Sequence, residues 1–453
     1  MSVTESRRLA FETLLELEKT EKKSSELSAA VLEKYDWLPQ RDKAFYLRLC
    51  QGVTERRLSL DHIIDRYASV KGGKMKLPVR LILRMGVYQL LYMDSVPASA
   101  ACDQSVQLAK KKGLGGLAPF VNGVLRGIDR SRDAIRGMFE TGDGMEALSL
   151  RYSVPEWIIE LLDERFGKER SRVFLRSLYE ERPVSVHISE KADAEALKQA
   201  WEKDGVRVEN CPYLPQILYL YDVPGVEHLC GFAEGAFFVQ DASSLLAVQA
   251  AGIKPGDTVV DVCAAPGGKS LAAAELTGET GRVFSYDLTE EKLARIRENA
   301  RRFRIGNLIA EQRDARLAPE EDQLEKADVL ICDLPCSGLG VMGRKAQIRY
   351  RLKQEDIPSL QALQREILNA ALPRLKKGGT LLYSTCTLTR EENDDNRNWL
   401  LSEFPLESVD ITERVPAQLR SDSAAEGYMQ LLSGFPEGEA PLDGFYYSVF
   451  RRI

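Results

Sequence analysis

Two cysteines and an aspartate stand where strands should end. Asp328-Val-Leu-Ile-Cys-Asp-Leu-Pro-Cys-Ser-Gly-Leu-Gly340 reads as a buried strand that breaks at Asp333-Leu-Pro-Cys336 into a glycine-containing loop. Thr380-Leu-Leu-Tyr-Ser-Thr-Cys-Thr387 brings Cys386 to the corresponding edge of another strand. Open α/β sheets bind ligands in the crevice outside the carboxyl ends of their strands, so Asp333, Cys336 and Cys386 are expected to converge on one cleft. Cys263 and Cys332 read more simply as small core residues within strands.

A third segment, Thr258-Val-Val-Asp-Val-Cys-Ala-Ala-Pro-Gly-Gly-Lys-Ser270, runs a buried strand through a turn of small residues into a helix. Such a turn lets backbone N–H groups come close to a ligand. Asp287 closes the next strand, where a carboxylate can take both hydroxyls of a ribose, so a nucleotide-containing ligand fits. The turn has neither the G-x-G-x-x-G of dinucleotide sites nor a P-loop, and both of those readings lose weight.

A cleft thiol, an aspartate and a nucleotide-type ligand suit methylation of a pyrimidine at C5. That carbon is a poor nucleophile until a thiolate adds at C6 and makes the ring enamine-like. With an unperturbed pKa of about 8.5, the thiol needs an electropositive site, for which Lys269 and the adjacent helix N-terminus are candidates. Asp333 is placed to grip the exocyclic amine and N3 of a cytosine. A base must then remove the C5 proton before the thiol leaves.

The elements that position these residues follow from the apolar pattern. From Glu5 to about Arg136 the apolar spacing is three and four, as in Leu9, Leu14 and Leu17 and again in Ile82, Leu83, Val87, Leu90 and Leu91, which predicts an all-α unit. Thr141-Gly-Asp-Gly144 reads as a linker. A helix starting near Pro155, a strand over Val184–Ile188, a helix over Ala192–Lys203 and short extended segments at Ile217–Leu220 and Ala236–Val239 then predict a small α+β unit. From about Asp241, strands at Thr258–Val262, Arg282–Tyr286, Asn307–Glu311, Val329–Cys332 and Gly379–Ser384 alternate with helices at Ser270–Leu276, Glu290–Phe303 and Leu360–Leu375, which implies a parallel sheet with crossover helices. The expected fold is therefore multidomain: residues 1–140 all-α, 145–235 small α+β, and 236–453 an α/β Rossmann-like domain.

Composition agrees with a globular chain. Of 453 residues, 44% are hydrophobic and 29% charged, which excludes disordered and fibrous classes. No apolar run approaches the ~20 residues a membrane span needs, and Glu5, Arg7 and Arg8 fall where a secretory segment would be apolar, so a soluble, cytoplasmic protein is expected. The eight cysteines form no C-x-x-C pair and have no histidines at metal spacing, so neither a disulfide framework nor a metal site is expected. The net charge of −6 divides into +7 over residues 1–140 and −13 over the rest. Between Asp65 and Asp94 there is no acidic residue, while Arg66, Lys71, Lys74, Lys76, Arg80 and Arg84 fall there, a cluster able to track phosphates.

Cys263-Ala-Ala-Pro-Gly-Gly-Lys269, Asp333-Leu-Pro-Cys-Ser-Gly338 and Ser384-Thr-Cys-Thr387, in this order, resemble the signature of the S-adenosylmethionine-dependent RNA 5-methylcytosine methyltransferases. The likeness runs from about Val239 to Phe450, taking in Val239-Gln-Asp-Ala-Ser-Ser244 and Asp443-Gly-Phe-Tyr446. It implies that Cys386 is the nucleophile and that Cys336 assists product release. It also implies that Cys263, Ala264, Ala265, Pro266, Gly267, Gly268, Lys269, Asp287, Asp314 and Asp333 hold S-adenosylmethionine, with Asp314 near the adenine. In the first part, Arg41-Asp-Lys-Ala-Phe45, Gly52, Ile82-Leu-Arg-Met-Gly-Val-Tyr-Gln-Leu90, Pro97 and Phe120-Val-Asn-Gly-Val-Leu-Arg126 resemble the RNA-binding antitermination factor NusB.

A NusB-like module joined to such a methyltransferase is similar to the family that methylates a cytosine of 16S rRNA. The resemblance implies 16S rRNA or a small-subunit assembly intermediate as the partner; a monomer is expected, with RNA contacted through the basic cluster Lys71, Lys74, Lys76, Arg80 and Arg84 and through Arg344 and Lys345 in the loop after the Pro-Cys motif. Three positions depart from the family pattern. Ser270 stands where threonine is more usual, Ala346 and Gln347 take the Pro and Asp places after the Pro-Cys motif, and Glu181-Arg-Pro183 lacks a preceding Asn-Glu. Methylation of tRNA or 23S rRNA, and a non-catalytic RNA-binding assembly or antitermination scaffold, are the alternatives.

Overall fold

The computed structural model describes residues 4–20, 22–140, 142–223, 225–318, 326–435 and 441–453; Thr141 of the expected linker lies outside them. The chain forms two compact units, Met1–Glu164 with Lys345–Arg351, and Arg165–Arg344 with Leu352–Ile453. The sequence boundaries near 140 and 235 differ from this division. The helices up to Tyr152 go with the first unit, and both sheets lie in the second.

The first unit is helical. Helix Leu77–Tyr92 starts with a proline in its first turn, where the missing N–H costs nothing, and is buried from Leu81 through Leu91 on every side. A helix apolar all round belongs at the centre of a bundle. Helix Gln40–Glu55 crosses it closely at Gly52, where an added Cβ would lie 1.9 Å from Cζ of Tyr88, so only glycine permits the approach.

Burial of the central helix also corrects one expectation. Arg84 is 1% exposed; its guanidinium donates to Asp61 at 2.6 and 2.5 Å and to Glu18 at 2.7 Å. It is an internal ion pair, not a surface cation for RNA, because the helix that carries it has no solvent face at that point. Lys71, Lys74 and Lys76 are exposed, and Arg80 is half-buried.

Lys345–Arg351 packs within this first unit. The Tyr350 hydroxyl donates to the carbonyls of Glu55 and Ser153 at 3.0 and 2.8 Å. The Arg351 guanidinium donates to the carbonyls of Leu17, Thr20 and Lys22 at 3.0, 2.8 and 3.2 Å. A cation suits the end of helix Glu5–Lys19, where carbonyls lack helical partners.

The second unit holds two sheets. Strands β1 (Val184–Ile188), β2 (Arg207–Asn210), β3 (Ile217–Tyr221) and β4 (Phe237–Val239) form an antiparallel sheet in the order β2-β3-β1-β4. The second sheet contains β5 (Thr258–Asp261), β6 (Arg282–Asp287), β7 (Leu308–Gln312), β8 (Ala327–Asp333), β9 (Leu375–Thr385), β10 (Leu406–Ser408), β11 (Tyr428–Leu431) and β12 (Phe445–Arg452). Its order is β10-β12-β9-β8-β5-β6-β7, with β11 paired to β12.

The five strands β5 to β9 are parallel, as the alternation with helices predicts. The sheet as a whole is mixed, because β12 runs antiparallel to β9, β10 and β11. The reason is connectivity. A parallel return needs a crossover helix, and among the described residues none lies between β11 and β12.

Alternate residues of the strands feed two cores. Val259, Val283, Val329, Ile331 and Leu382 pack with helices Ala242–Ala250 and Gly268–Thr277, while Val260, Leu330, Leu381 and Tyr383 pack with helix Ile357–Ala371. Each such Val or Leu contributes roughly 1.5–3 kcal/mol on burial. The two layers hold the carboxyl edge of the sheet rigid.

Candidate functional site

Every residue singled out at a strand end lies on that edge. β5 ends in Asp261, and the chain then turns through Cys263–Gly267 into helix Gly268–Thr277. Gly267 has φ +107°, a left-handed conformation that explains glycine there. The turn is stitched internally. Ala264 N donates to Tyr286 O at 2.9 Å, Gly267 N to Ala264 O at 2.7 Å and Ala265 N to Asp287 Oδ2 at 3.0 Å.

Asp287, buried at the end of β6, accepts on its other oxygen from Leu288 N at 2.7 Å and Lys292 Nζ at 2.8 Å. Lys292 was not foreseen; it lies five residues on, in the first turns of helix Glu290–Arg302. Beyond β7, Asp314 is clasped by Arg316 at 2.9 and 2.5 Å, which lowers its carboxyl to about 2. It borders a cleft of about 310 Å³ together with Val262, Tyr286, Arg313, Ala371 and Arg374.

Two buried polar atoms beside the turn have no partner among the described residues. One is Oδ1 of Asp261, whose Oδ2 accepts from Ser270 Oγ at 2.7 Å; burial pushes this carboxyl up to about 7. The other is Nε2 of Gln240, next to Gly268, while Gln240 Oε1 meets His187 Nδ1 at 2.9 Å. Leaving such groups unpaired costs about 1–3 kcal/mol each. A ligand carrying both donor and acceptor groups at this turn would satisfy them.

Lys269 sits in the first turn of its helix, where a cation faces the positive end of the macrodipole. Its side chain is nearly buried, and the ammonium is offset by Asp333 Oδ2 at 2.7 Å and Ser244 Oγ at 2.8 Å, above the Phe445 ring at 4.9 Å. Asp333, ending β8, accepts on Oδ1 from Ser384 Oγ at 2.8 Å. Its side chain remains 32% exposed, so the carboxylate is oriented from both sides and still open to the cleft.

The two cysteines meet. Cys336, three residues past β8, and Cys386, one past β9, place their Sγ atoms 3.4 Å apart, and both are half-buried thiols not joined by a disulfide. The contact is enforced by backbone packing. Gly340 N donates to Cys386 O at 3.0 Å, Gly444 N donates to Gly340 O at 3.1 Å, and a Cβ on Gly340 would strike Gly444 O at 2.0 Å. The Cys336 thiol is pushed well above its ordinary value by its hydrogen bond to Cys386, by burial and by the nearby charges of Glu392 and Asp333. Cys332 is a core thiol inside β8 and is raised by burial, whereas Cys263, also raised by burial, is not within a strand as expected but half-buried in the turn after β5, because that strand ends at Asp261.

Arg344 calls for a second correction. Its Nε lies 3.0 and 2.8 Å from the two oxygens of Asp443, its Nη1 donates to Pro183 O at 3.0 Å, and Asp241 is 3.6 Å from Nη2. The guanidinium therefore ties the end of the Cys336 loop to the chain just before β12 and is not a free phosphate ligand. The Asp443-Gly-Phe stretch was seen in the sequence as part of a likeness, but its role as anchor of Arg344 and floor of Lys269 was not.

The chain matches the family model for 16S rRNA methyltransferase RsmB/F over residues 248–451 and that of the NusB family over residues 4–130. It is 33% identical to the Bacillus subtilis (strain 168) protein named probable ribosomal RNA small subunit methyltransferase B, over 100% of both chains. It is 32% identical to the Vibrio cholerae ribosomal RNA small subunit methyltransferase B over 94% of this chain and 93% of that one. Among solved structures, that of PH0851 superposes with a TM-score of 0.82 at 25% identity over 100% of this chain and 99% of the other. NSun6 from Pyrococcus horikoshii, solved with SFG, shares the fold at a TM-score of 0.58 and 21% identity over 66% of this chain and 98% of its own.

Proposed function

The chain belongs to the RsmB/F family of 16S rRNA methyltransferases, and on that premise we propose that it methylates C5 of one cytosine in 16S rRNA, using S-adenosylmethionine and a covalent bond from Cys386 to C6. The observation that carries this reading is the 3.4 Å approach of Cys336 and Cys386 beside Asp333 at the carboxyl ends of adjacent parallel strands. One strand-end cysteine would suffice for attack. Two in contact fit a reaction in which the sulfur that attacks must also leave.

The turn Cys263–Lys269 with Asp287, Asp314 and Asp333 would hold S-adenosylmethionine, whose ammonium, carboxylate and ribose are the donors and acceptors that the orphaned Asp261 and Gln240 atoms call for. Bound there, it supplies an electrophilic methyl group on a sulfonium. Asp333, oriented by Lys269 and Ser384, accepts from the amine of cytosine and so selects against uracil. Cys386 adds to C6, and the thiol of Cys336, held protonated, donates to the same sulfur and stabilises its thiolate. Once C5 carries the methyl group, a base must take the proton left on that carbon so that the C6–S bond can break, with Cys336 standing beside it.

On this reading the module over residues 1–140 contacts RNA through Lys71, Lys74 and Lys76, and the small sheet β1–β4, which reaches Val239, flanks the catalytic domain. The target is a flipped or unpaired base, since C6 cannot be reached inside a helix. The test is methyl transfer from labelled S-adenosylmethionine to unmodified 16S rRNA, with tRNA, 23S rRNA and Cys386→Ala as controls and the labelled base mapped. Label on one 16S cytosine, lost in the variant, is expected. Label on another RNA overturns the substrate and keeps the chemistry. Binding without turnover on any RNA or assembly intermediate favours a scaffold.

A further inference from the structure

Glu392 is fully buried, and among the described residues no lysine or arginine pairs with it. Its carboxylate is surrounded instead by neutral donors. Oε1 accepts from Ser337 N and Gln364 Nε2, both at 2.9 Å. Oε2 accepts from Ser337 Oγ at 2.5 Å and Thr389 Oγ1 at 2.8 Å. A charge placed in the core without a counter-ion is costly and is retained only where its hydrogen bonds are complete.

Those bonds converge on the two thiols from behind. Ser337 follows Cys336 directly, and Pro335, which precedes it, gives its carbonyl to Gln364 Nε2 at 2.9 Å. The Pro-Cys-Ser segment is thus gripped on both sides of its cysteine. Thr387 and Thr389 follow Cys386, and Thr387 Oγ1 hydrogen-bonds Ser337 Oγ. The backbone of Glu392 is fixed as well, because its carbonyl accepts from the Tyr383 hydroxyl and from Asn396 Nδ2 at 3.3 Å. No other carboxylate among the described residues is bonded to both cysteine loops.

We propose that Glu392 is a positioning residue that fastens the Cys336 loop to the turn after Cys386 and so sets the contact between the two sulfurs. It touches neither thiol and acts through Ser337 and Thr389. The inference rests on the cytosine-C5 reading above only for its effect on catalysis; the contact itself is a property of the free protein. Reach, not charge, is what the site requires. A glutamine can leave its carbonyl on Ser337 N and Gln364 and turn its amide toward the two hydroxyls, which are able to accept. An aspartate keeps the charge but falls a methylene short of spanning both loops.

The test uses phenylarsine oxide, which condenses with two adjacent thiols and releases water, and the full-length protein without RNA. Capture is read as joint protection of Cys336 and Cys386 from iodoacetamide by peptide mass. Glu392→Gln should capture within about threefold of the parent and Glu392→Asp about tenfold less tightly or worse, because displacements near 1 Å are enough to cost orders of magnitude. Methyl transfer should follow the same order in kcat, with KM for S-adenosylmethionine unchanged. The reverse order, with Asp near the parent and Gln impaired, would show a role for charge and overturn the inference, as would equal capture by all three. If the parent captures the arsenical yet methylates no RNA, the functional reading fails and the positioning role stands.

Discussion

Each unit contains a buried cation paired to carboxylate, and the two pairs serve different ends. Arg84 lies in the middle of a helix buried all round and is bonded to Asp61 and Glu18, three groups that complete one another inside the bundle. Lys269 lies at the carboxyl edge of the sheet, and its partner Asp333 stays open to a cleft beside two thiols. The lesson is that burial and pairing alone do not mark a functional charge. What lies beyond the partner decides it.

The comparison can be broken at either end, and the largest effect belongs to the sheet. Cys386→Ala should lower methyl transfer by about 10³-fold or more while S-adenosylmethionine still binds, as loss of a nucleophile does. Cys336→Ala should accumulate a covalent protein–RNA adduct, seen as a shifted band on a denaturing gel; a clean gel removes its release role. Next come the two cations. Arg84→Met should destabilise the protein by about 1–3 kcal/mol in denaturant unfolding, because Asp61 and Glu18 lose their buried donor although both keep some access to solvent and Glu18 keeps Arg57 at 3.4 Å. Lys269→Met should cost less stability and abolish turnover, since Asp333 retains Ser384 and access to solvent. If the two variants exchanged these phenotypes, the contrast between architecture and chemistry would collapse.

Much of the sheet unit was legible because its strands carry their own punctuation. Val184–Ile188 forms as a strand over those residues, β6 and β8 end in Asp287 and Asp333, and β9 ends just before Cys386. The cysteine contact was visible as convergence, but its distance depends on Gly340 and Gly444 meeting backbone to backbone, which no local pattern encodes. The antiparallel strand β2 and the strands β10, β11 and β12 were missed because their pairing is set by the partner they return to, not by a period of their own. In the helical unit, a run of basic residues without acids looked like one surface. Arg84 belongs inside because helical rotation places it toward Asp61 and Glu18, distant in sequence.

A pH experiment sharpens the same contrast. Asp261 is held near 7 by burial, against about 3.9 in an unfolded chain, so between those values the native state binds more protons than the unfolded one. Stability therefore is greatest below about pH 4 from this group and is lost as pH rises through 7, by up to about 4 kcal/mol over the full span. Urea unfolding of the ligand-free protein at pH 5 and pH 8, with Asp261→Asn alongside, should show the slope in the parent and a flatter one in the variant. An equal slope in both would place the proton elsewhere.

The smallest effect tests the helical unit as an RNA surface. Lys71, Lys74 and Lys76 are exposed on a short turn and at the start of helix Leu77–Tyr92, whose N-terminus adds positive partial charge. Lys71 Nζ donates to the carbonyl of Asp65 at 2.7 Å. Each lysine that neutralises a phosphate releases counterions, and its loss should reduce the slope of log affinity against log salt by about 0.7, the single-strand value, to about 0.9, the value for a DNA duplex. The combined change Lys74→Ala with Lys76→Ala should therefore flatten the slope by about 1.4–1.8, equally on cognate and unrelated RNA, because phosphates carry no sequence. Arg344→Ala, whose guanidinium is committed to Asp443, should leave the slope unchanged and instead lower turnover by loosening the Cys336 loop. A flattened slope in Arg344→Ala and none in the lysine pair would move the RNA contact from the bundle to the rim of the sheet.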